Sequence, residues 1–219
     1  MKVRGVIFDM DGTLLDTIED IGAAVNSMLT AHGYPVHRVE DYIKWIGNGA
    51  VRLVELAVPS EPKPLLLDVL VEEFRINYQQ NLHHKTCLYD GVGEVIDFLE
   101  ERGIFLSILS NKPDHLTREV ARWYLSEWDF RFIYGQREGI PRKPDPLAAL
   151  ALAEEMGLDP GEIMFIGDSG NDMITARRGG FVPVGVLWGY GTERDIREGG
   201  AEFVIRKPEE LIPILNGLT

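Results

Sequence analysis

Apolar residues follow two different patterns along the chain, and the change between them divides the sequence. A compact apolar run at Val6–Phe8, ended by Gly12, is typical of a buried strand. From residue 17 to about residue 83 the apolar residues recur at helical spacing. This stretch therefore predicts four helices, beginning near residues 17, 39, 50 and 65, and no convincing strand.

The remainder of the chain alternates between strand and helix patterns. Helical patterns separate five predicted strands, which cover about 104–109, 130–134, 163–166, 182–187 and 203–205. Strands that alternate with helices form a parallel sheet covered on both faces. The sequence therefore predicts an α/β fold: a parallel Rossmann-like core of residues 1–16 and 84–219, with an inserted all-helical cap of residues 17–83.

Local signals refine these boundaries. Thr17 and Asp20 have the spacing of a capping box at the start of the first cap helix. Asp145 and Pro146 are placed as the N-cap and first residue of a later helix. Cys87 is followed by apolar residues, so we expect a small buried side chain there.

Composition and charge exclude several classes of partner. The formal net charge of −13 argues against binding to nucleic acid or to an anionic membrane surface. A single cysteine allows no intrachain disulfide, and the start of the chain lacks an apolar leader pattern, so we expect a cytoplasmic protein. An anionic substrate would need local positive charge at its site. The sequence leaves the oligomeric state open between a monomer and a homodimer.

Candidate chemistry begins just after the first strand, at Asp9 and Asp11. Residues two apart in an extended backbone point to the same side, so the two carboxylates face one place. Close like charges are costly, which indicates a divalent metal, an acid/base pair or both. A calcium loop is excluded because its twelfth position would be Asp20 where a Glu is required.

Three further polar clusters follow later strands. Each could merely cap or turn the chain, but all are predicted at the same edge of one sheet, where parallel strands bind ligands. Together they offer a hydroxyl, a lysine and more carboxylates, the groups that phosphoryl transfer requires. The clusters are Ser110-Asn111-Lys112, Arg142-Lys143-Pro144-Asp145-Pro146 and Gly167-Asp168-Ser169-Gly170-Asn171-Asp172.

These motifs resemble those of the haloacid dehalogenase-like superfamily of phosphohydrolases. The resemblance covers essentially the whole chain and keeps the motif order, with Asp9-Met10-Asp11-Gly12-Thr13 first and the three strand-end clusters after it. Within the superfamily the chain is most similar to phosphoglycolate phosphatases. That narrower similarity rests on the cap loop Trp45-Ile46-Gly47-Asn48-Gly49-Ala50 and on Ser110-Asn111-Lys112-Pro113.

The resemblance implies a role for each motif residue. Asp9 would be the nucleophile that forms an aspartyl phosphate, and Asp11 the general acid and then the general base. Mg²⁺ would be held by Asp9, Asp168 and the backbone carbonyl of Asp11. The other expected contributors are Ser110, Asn111 and Lys143 around the phosphoryl oxygens, Asp172 and Thr13 in support, and Gly47, Asn48 and Gly49 of the cap in substrate selection.

The resemblance implies a Mg²⁺-dependent phosphatase of a small phosphorylated metabolite, with 2-phosphoglycolate as the expected substrate. The presence of Asp11 favours oxygen-ester chemistry over dehalogenation or phosphonate cleavage. Two enzymatic alternatives remain: another small sugar-phosphate phosphatase, and phosphoryl transfer of the β-phosphoglucomutase kind. A phosphate-binding regulator without activity would lack a catalytic carboxylate, and none is missing. The cap is expected to cover the site as a lid.

Overall fold

The computed structural model describes residues 2–60 and 62–218 and divides the chain into two compact units. One unit comprises residues 1–15 and 88–219, and the other comprises residues 16–87. Each boundary falls within a short strand, β2 (Leu15–Asp16) or β3 (Cys87–Leu88), and these strands pair with each other. The second boundary lies beyond the predicted residue 83 because Lys85 and Thr86 are hydrogen-bonded to Asp20 of the helical unit.

The larger unit contains a six-stranded parallel sheet, as predicted. Its strand order is β5-β4-β1-β6-β7-β8, and β1 (Gly5–Phe8) is fully buried near the centre. The other strands are β4 (Phe105–Pro113), β5 (Phe130–Gln136), β6 (Ile163–Gly167), β7 (Val182–Val186) and β8 (Phe203–Ile205). The predicted fold class, a parallel α/β sheet with an inserted helical segment, is confirmed.

The order in which successive strands are added to the sheet reverses at β1. From β1 the later strands β4 and β5 lie on one side, and β6, β7 and β8 lie on the other. Ligands of open parallel sheets bind at such a switch point, beyond the carboxyl ends of the strands. We therefore expect the functional side chains at the carboxyl ends of β1, β4 and β6.

Helices of the larger unit bury their apolar residues against the sheet. One core cluster joins Ile7 and Phe165 of the strands to Ala149 and Leu152 of a helix. The helices are α5 (Val92–Glu101), α6 (Asp114–Tyr124), α7 (Leu147–Met156), α8 (Gly170–Gly179), α9 (Glu193–Gly199) and α10 (Leu211–Leu218), with single turns at Pro160–Glu162 and Pro208–Glu210.

Two predictions about these helices need correction. Helix α7 begins one residue later than predicted: Pro146 is its N-cap, and the Asp145 carboxylate accepts a hydrogen bond from the Leu147 N–H at 2.9 Å. Helix α9 was not predicted, because it is short and rich in charge. It begins after Thr192, whose hydroxyl accepts a hydrogen bond from the Asp195 N–H.

Within the part of the helical unit that the structure describes there are four helices, α1 (Ile18–Ala31), α2 (Val39–Tyr42), α3 (Ala50–Ala57) and α4 (Pro64–Gln80). Buried residues Leu70, Val71, Phe74 and Tyr78 form the apolar side of α4, as the periodicity predicts. Among the helices of the described residues, none has both the length and the apolar character needed to cross a membrane.

The predicted capping box of α1 is wrong. Thr17 makes no side-chain capping bond. The Asp20 carboxylate instead accepts hydrogen bonds from the N–H groups of Lys85 (3.0 Å) and Thr86 (2.9 Å) and from the Thr86 hydroxyl (2.8 Å). Buried Asp20 thus joins the two ends of the helical unit. The expected burial of Cys87 is also wrong, since that side chain is exposed.

Candidate active site

Asp9 lies directly beyond the carboxyl end of β1. Its N–H donates to the carbonyl of Ile166 at 2.8 Å, which continues the ladder between β1 and β6 by one residue. One carboxylate oxygen, Oδ1, accepts a hydrogen bond from the Met10 N–H at 2.7 Å and lies 2.8 Å from the Lys143 Nζ atom. The central strand therefore presents this carboxylate to a lysine from a distant segment.

Lys143 is a buried ammonium group between two carboxylates. Its Nζ atom lies 2.8 Å from Oδ1 of Asp9 and 2.6 Å from Oδ1 of Asp172. Burial disfavours the charged form, but the charges and hydrogen bonds of these two carboxylates outweigh it and raise the pKa of Lys143. The lysine therefore stays charged at the centre of the site.

Asn111 fixes the backbone of Lys143 at both of its polar groups. The Asn111 amide group donates to the Lys143 carbonyl at 3.1 Å, and its carbonyl oxygen accepts from the Lys143 N–H at 3.0 Å. This pairing resembles one step of a sheet ladder. The sequence placed the Asn111 side chain at the phosphoryl oxygens, whereas the structure directs its carboxamide to the loop that carries Lys143.

Three carboxylates form a cluster that suits a cation. One oxygen from each of Asp9, Asp168 and Asp172 lies within 4.8 Å of the others, and all three residues are buried. Burial, and secondarily the charge of Asp172, raise the pKa of Asp168 to about 7, although the backbone N–H groups of Tyr190 and Gly191 oppose this. Burial also raises the pKa of Asp9 well above its usual range, although Lys143 opposes the increase.

Ionisation of all three carboxylates together is unfavourable unless a positive charge compensates it. An all-oxygen set of this kind fits a hard divalent cation such as Mg²⁺, which needs few carboxylates. Asp172 is already engaged, because its two oxygens accept hydrogen bonds from Lys143 and from the hydroxyl and N–H of Ser169. Both carboxylate oxygens of Asp172 are therefore already hydrogen-bonded within the protein.

Asp11 is directed to a second lysine. The Lys112 Nζ atom lies 2.6 Å from Oδ1 of Asp11, and only 5% of the lysine side chain is exposed. The sequence identified Lys112 as part of a polar cluster but assigned it no role. The signal available was its position next to Asn111 at a strand end, which does not indicate its partner.

Ser110, Asn111 and Lys112 belong to β4 itself, which continues beyond the predicted end at Leu109. The strand pairs with β5 at Leu109, opposite Tyr134, and again at Pro113, opposite Gln136, with an irregularity in the register between them. Ser110 is buried, and its hydroxyl accepts a hydrogen bond from the Lys112 N–H at 3.2 Å. The polar cluster predicted to follow the strand therefore lies within its last residues.

The sequence left open whether the segment Trp188-Gly189-Tyr190-Gly191 after β7 lines the site or only turns the chain, and the structure places it against Asp168 and Thr13. The N–H groups of Tyr190 (2.6 Å) and Gly191 (3.3 Å) donate to Oδ2 of Asp168, and the Trp188 indole donates to the Thr13 carbonyl at 3.0 Å. A Cβ atom on Gly191 would lie 1.8 Å from the Asp168 carbonyl oxygen. Glycines alternating with aromatic residues at a strand end were the available signal.

Two further predicted site features are Thr13 and the cap loop. The Thr13 hydroxyl is buried and has no hydrogen-bond partner among the described residues. The loop containing Gly47, Asn48 and Gly49 belongs to the helical unit, between α2 and α3. Gly47 and Gly49 have φ values of 96° and 84°, which other residues rarely adopt.

Comparison with known proteins identifies the family. The family model described as haloacid dehalogenase-like hydrolase matches residues 3–180. The chain therefore belongs to the haloacid dehalogenase-like hydrolases, as the motif resemblance predicts, and it is a phosphatase of that family. The matched range includes β1, β4 and β6, whose carboxyl ends carry the candidate site.

Within the family, the chain is similar to proteins described as phosphoglycolate phosphatases. Phosphoglycolate phosphatase 1 of Pseudomonas aeruginosa is 32% identical over 219 aligned residues, covering 96% of this chain and 79% of the relative. A phosphoglycolate phosphatase of Haemophilus influenzae is 32% identical, covering 95% and 96% of the two chains. A crystal structure from Haemophilus somnus, described as a predicted phosphoglycolate phosphatase, superposes with a TM-score of 0.90 at 26% identity and 98% coverage of both chains.

Proposed function

We propose that this protein is a Mg²⁺-dependent phosphomonoesterase that acts through an aspartyl-phosphate intermediate on a small phosphorylated metabolite. The observation that carries the proposal is the Lys143 ammonium between Asp9 and Asp172, beside the third carboxylate of Asp168. The substrate we propose is 2-phosphoglycolate. Its support is the naming of relatives that align over nearly the whole chain.

Asp9 is the proposed nucleophile. Its position at the end of the central strand, with Oδ1 held by Met10 and Lys143, fixes one oxygen and orients the carboxylate. Nucleophilic attack requires the ionised form, which burial disfavours. Asp9, Asp168 and the Asp11 carbonyl would hold Mg²⁺, whose charge would favour ionised Asp9 and offset that of the phosphoryl oxygens.

Asp11 is the proposed general acid and base. It would protonate the leaving alkoxide in the first step and deprotonate the attacking water in the second. Ser110 and Lys143 would bind the phosphoryl oxygens, with Lys143 countering their charge. Asn111 supports this binding by holding the backbone of Lys143 in place.

The Gly47-Asn48-Gly49 loop is proposed to select the substrate. It belongs to the inserted helical unit, whereas the residues proposed for the chemistry belong to the larger unit. Related functions on one fold commonly differ in such inserted segments while the catalytic edge is retained.

The test is a panel of small phosphate esters assayed for phosphate release with and without Mg²⁺. The panel includes 2-phosphoglycolate, p-nitrophenyl phosphate and β-glucose 1-phosphate. We expect Mg²⁺-dependent release with 2-phosphoglycolate showing the highest kcat/KM. Absence of turnover on every ester would refute the phosphatase mechanism. Conversion of β-glucose 1-phosphate to an isomer without phosphate release would instead favour the mutase alternative.

A further inference from the structure

Lys112 places a buried positive charge directly against Asp11 in the candidate site. Its Nζ atom lies 2.6 Å from Oδ1 of Asp11, with 5% of the lysine side chain and 14% of the aspartate side chain exposed. A buried ammonium is costly unless a carboxylate and hydrogen bonds compensate it. At this distance the contact is a charge-assisted hydrogen bond, which constrains direction as well as distance.

The backbone of Lys112 is also held, unlike that of a lysine in a surface turn. Its N–H donates to the Ser110 hydroxyl at 3.2 Å, and its carbonyl accepts from the Thr117 hydroxyl of α6 at 3.2 Å. The first contact lies within β4, and the second joins β4 to α6. The ammonium group therefore extends from a fixed point toward Asp11, a residue 101 positions away in the sequence.

The two buried lysines of the site serve different acids. Lys143 contacts Asp9 and Asp172, whereas Lys112 contacts Asp11. Lys143 thus lies beside the proposed nucleophile, and Lys112 lies beside the proposed proton donor. Each of the two proposed catalytic aspartates therefore has a buried ammonium group against its carboxylate.

We infer that Lys112 is a positioning residue for Asp11. It holds the Asp11 carboxyl group in place for proton transfer to the leaving oxygen and does not itself contact the substrate. This inference rests on the proposed function. It predicts that loss of Lys112 impairs most the reactions whose leaving group needs a proton. If Lys112 contributed only to folding or phosphate binding, its loss would impair all phosphate esters alike.

The test compares two leaving groups in Lys112→Met, which keeps a long side chain without its charge. The 2-phosphoglycolate alkoxide needs a proton, whereas p-nitrophenoxide leaves without one. Because general acid catalysis contributes about 10²–10⁴-fold, we expect kcat/KM for 2-phosphoglycolate to fall about 10- to 100-fold. For p-nitrophenyl phosphate, kcat/KM should stay within about threefold, because that ratio excludes the later water-activation step.

Three further variants make the comparison decisive. Lys207→Met, at an exposed lysine, controls for loss of charge and should leave both ratios unchanged. Lys112→Arg, which keeps the charge, should recover most of the lost 2-phosphoglycolate activity. In an Asp11→Asn background, adding Lys112→Met should cause no further loss, because the lysine acts through the aspartate.

Equal losses on both esters, or no loss on either, would overturn the inference. If Lys112→Met does not fold, the Lys112→Arg variant decides instead: it displaces the charge, so its smaller loss must again be confined to 2-phosphoglycolate. These results are distinct from failure of the proposed function. Wild-type protein that hydrolyses neither ester would refute the proposed function itself, before any variant is compared.

Discussion

Charge balance among individual side chains explains why the candidate site suits a divalent ion. Asp9, Asp11, Asp168 and Asp172 bring four carboxylates together with the two ammonium groups of Lys112 and Lys143. If all six are ionised, the site has an excess of two negative charges. Burial makes that excess costly, which is consistent with the raised pKa values of Asp9 and Asp168.

Asp9→Asn tests the nucleophile directly. The amide has nearly the same shape but cannot form an aspartyl phosphate, so we expect turnover of every ester to fall by at least about 10³-fold. Lys143 keeps its contact with Asp172, so the fold should be retained. Phosphate release measures the first expectation and circular dichroism the second. Substantial remaining activity in a folded variant would refute the assignment.

The sequence could indicate individual site residues from their local pattern, but it could not indicate which of them contact each other. Asp9, Asp11 and Asp168 could be predicted because each closely follows an apolar run, and Lys143 because it lies in a polar cluster after another predicted strand; parallel strands bring such ends together. Specific pairs were not predictable. The contact of Lys112 with Asp11 spans 101 positions, and that of Asp20 with Thr86 spans 66, so both depend on the completed fold.

Among the secondary-structure elements, strand β4 contributes more residues to the candidate site than its predicted boundaries suggested. The six strands were located from apolar runs, but β4 extends through polar residues to Pro113, which pairs with Gln136 of β5. Pairing between strands is a tertiary property that local composition does not report. Helix α9 shows the same limit, because its charged residues carry little apolar periodicity.

Gly191→Ala tests the segment after β7 as a support for Asp168. The added Cβ atom would lie 1.8 Å from the Asp168 carbonyl oxygen, so this segment must move away. Because such supporting contacts typically contribute 10- to 100-fold to metal affinity, we expect Mg²⁺ binding to weaken by about 10-fold in a calorimetric titration. The control is Gly217→Ala, where a Cβ atom meets no neighbour within 4 Å. Unchanged affinity in the Gly191 variant would contradict the supporting role.

Asn48→Ala tests the loop of the helical unit. If this loop selects substrates, the ratio of kcat/KM for 2-phosphoglycolate to that for p-nitrophenyl phosphate should change by about 10-fold, with the aryl ester little affected. Asn81→Ala, at the end of α4, makes the same chemical change elsewhere in the unit. An unchanged ratio in the Asn48 variant would show that the loop does not determine preference.

For the entire chain, the acidic site links stability to pH and to Mg²⁺. The pKa of Asp168 is about 7 in the folded protein and about 3.9 in an unfolded chain, so the metal-free folded state binds more protons between these values. Stability contributed by this group is therefore present at low pH and is lost as pH rises through about 7. Mg²⁺ and protons compete for the same carboxylates, so the ion should stabilise the fold most at high pH.

Thermal unfolding with and without Mg²⁺ checks this linkage. At 100 times its dissociation constant the ion contributes about 2.7 kcal/mol, which raises Tm by several degrees for a chain of this length. We expect the increase to be larger at pH 8 than at pH 6 and to be largely lost in Asp168→Ala. An equal increase in Asp168→Ala would show that Mg²⁺ acts elsewhere.

The bond network of Asp20 has a consequence for how this protein can diversify. By joining the beginning of the inserted segment to Lys85 and Thr86, it makes the insertion a closed loop whose entry and exit are neighbours. Such a loop can be exchanged as a cassette at 15/16 and 87/88 without pulling apart the strands on which the chemistry depends. Recombination at two short junctions would then supply new substrate ranges to an inherited reaction centre.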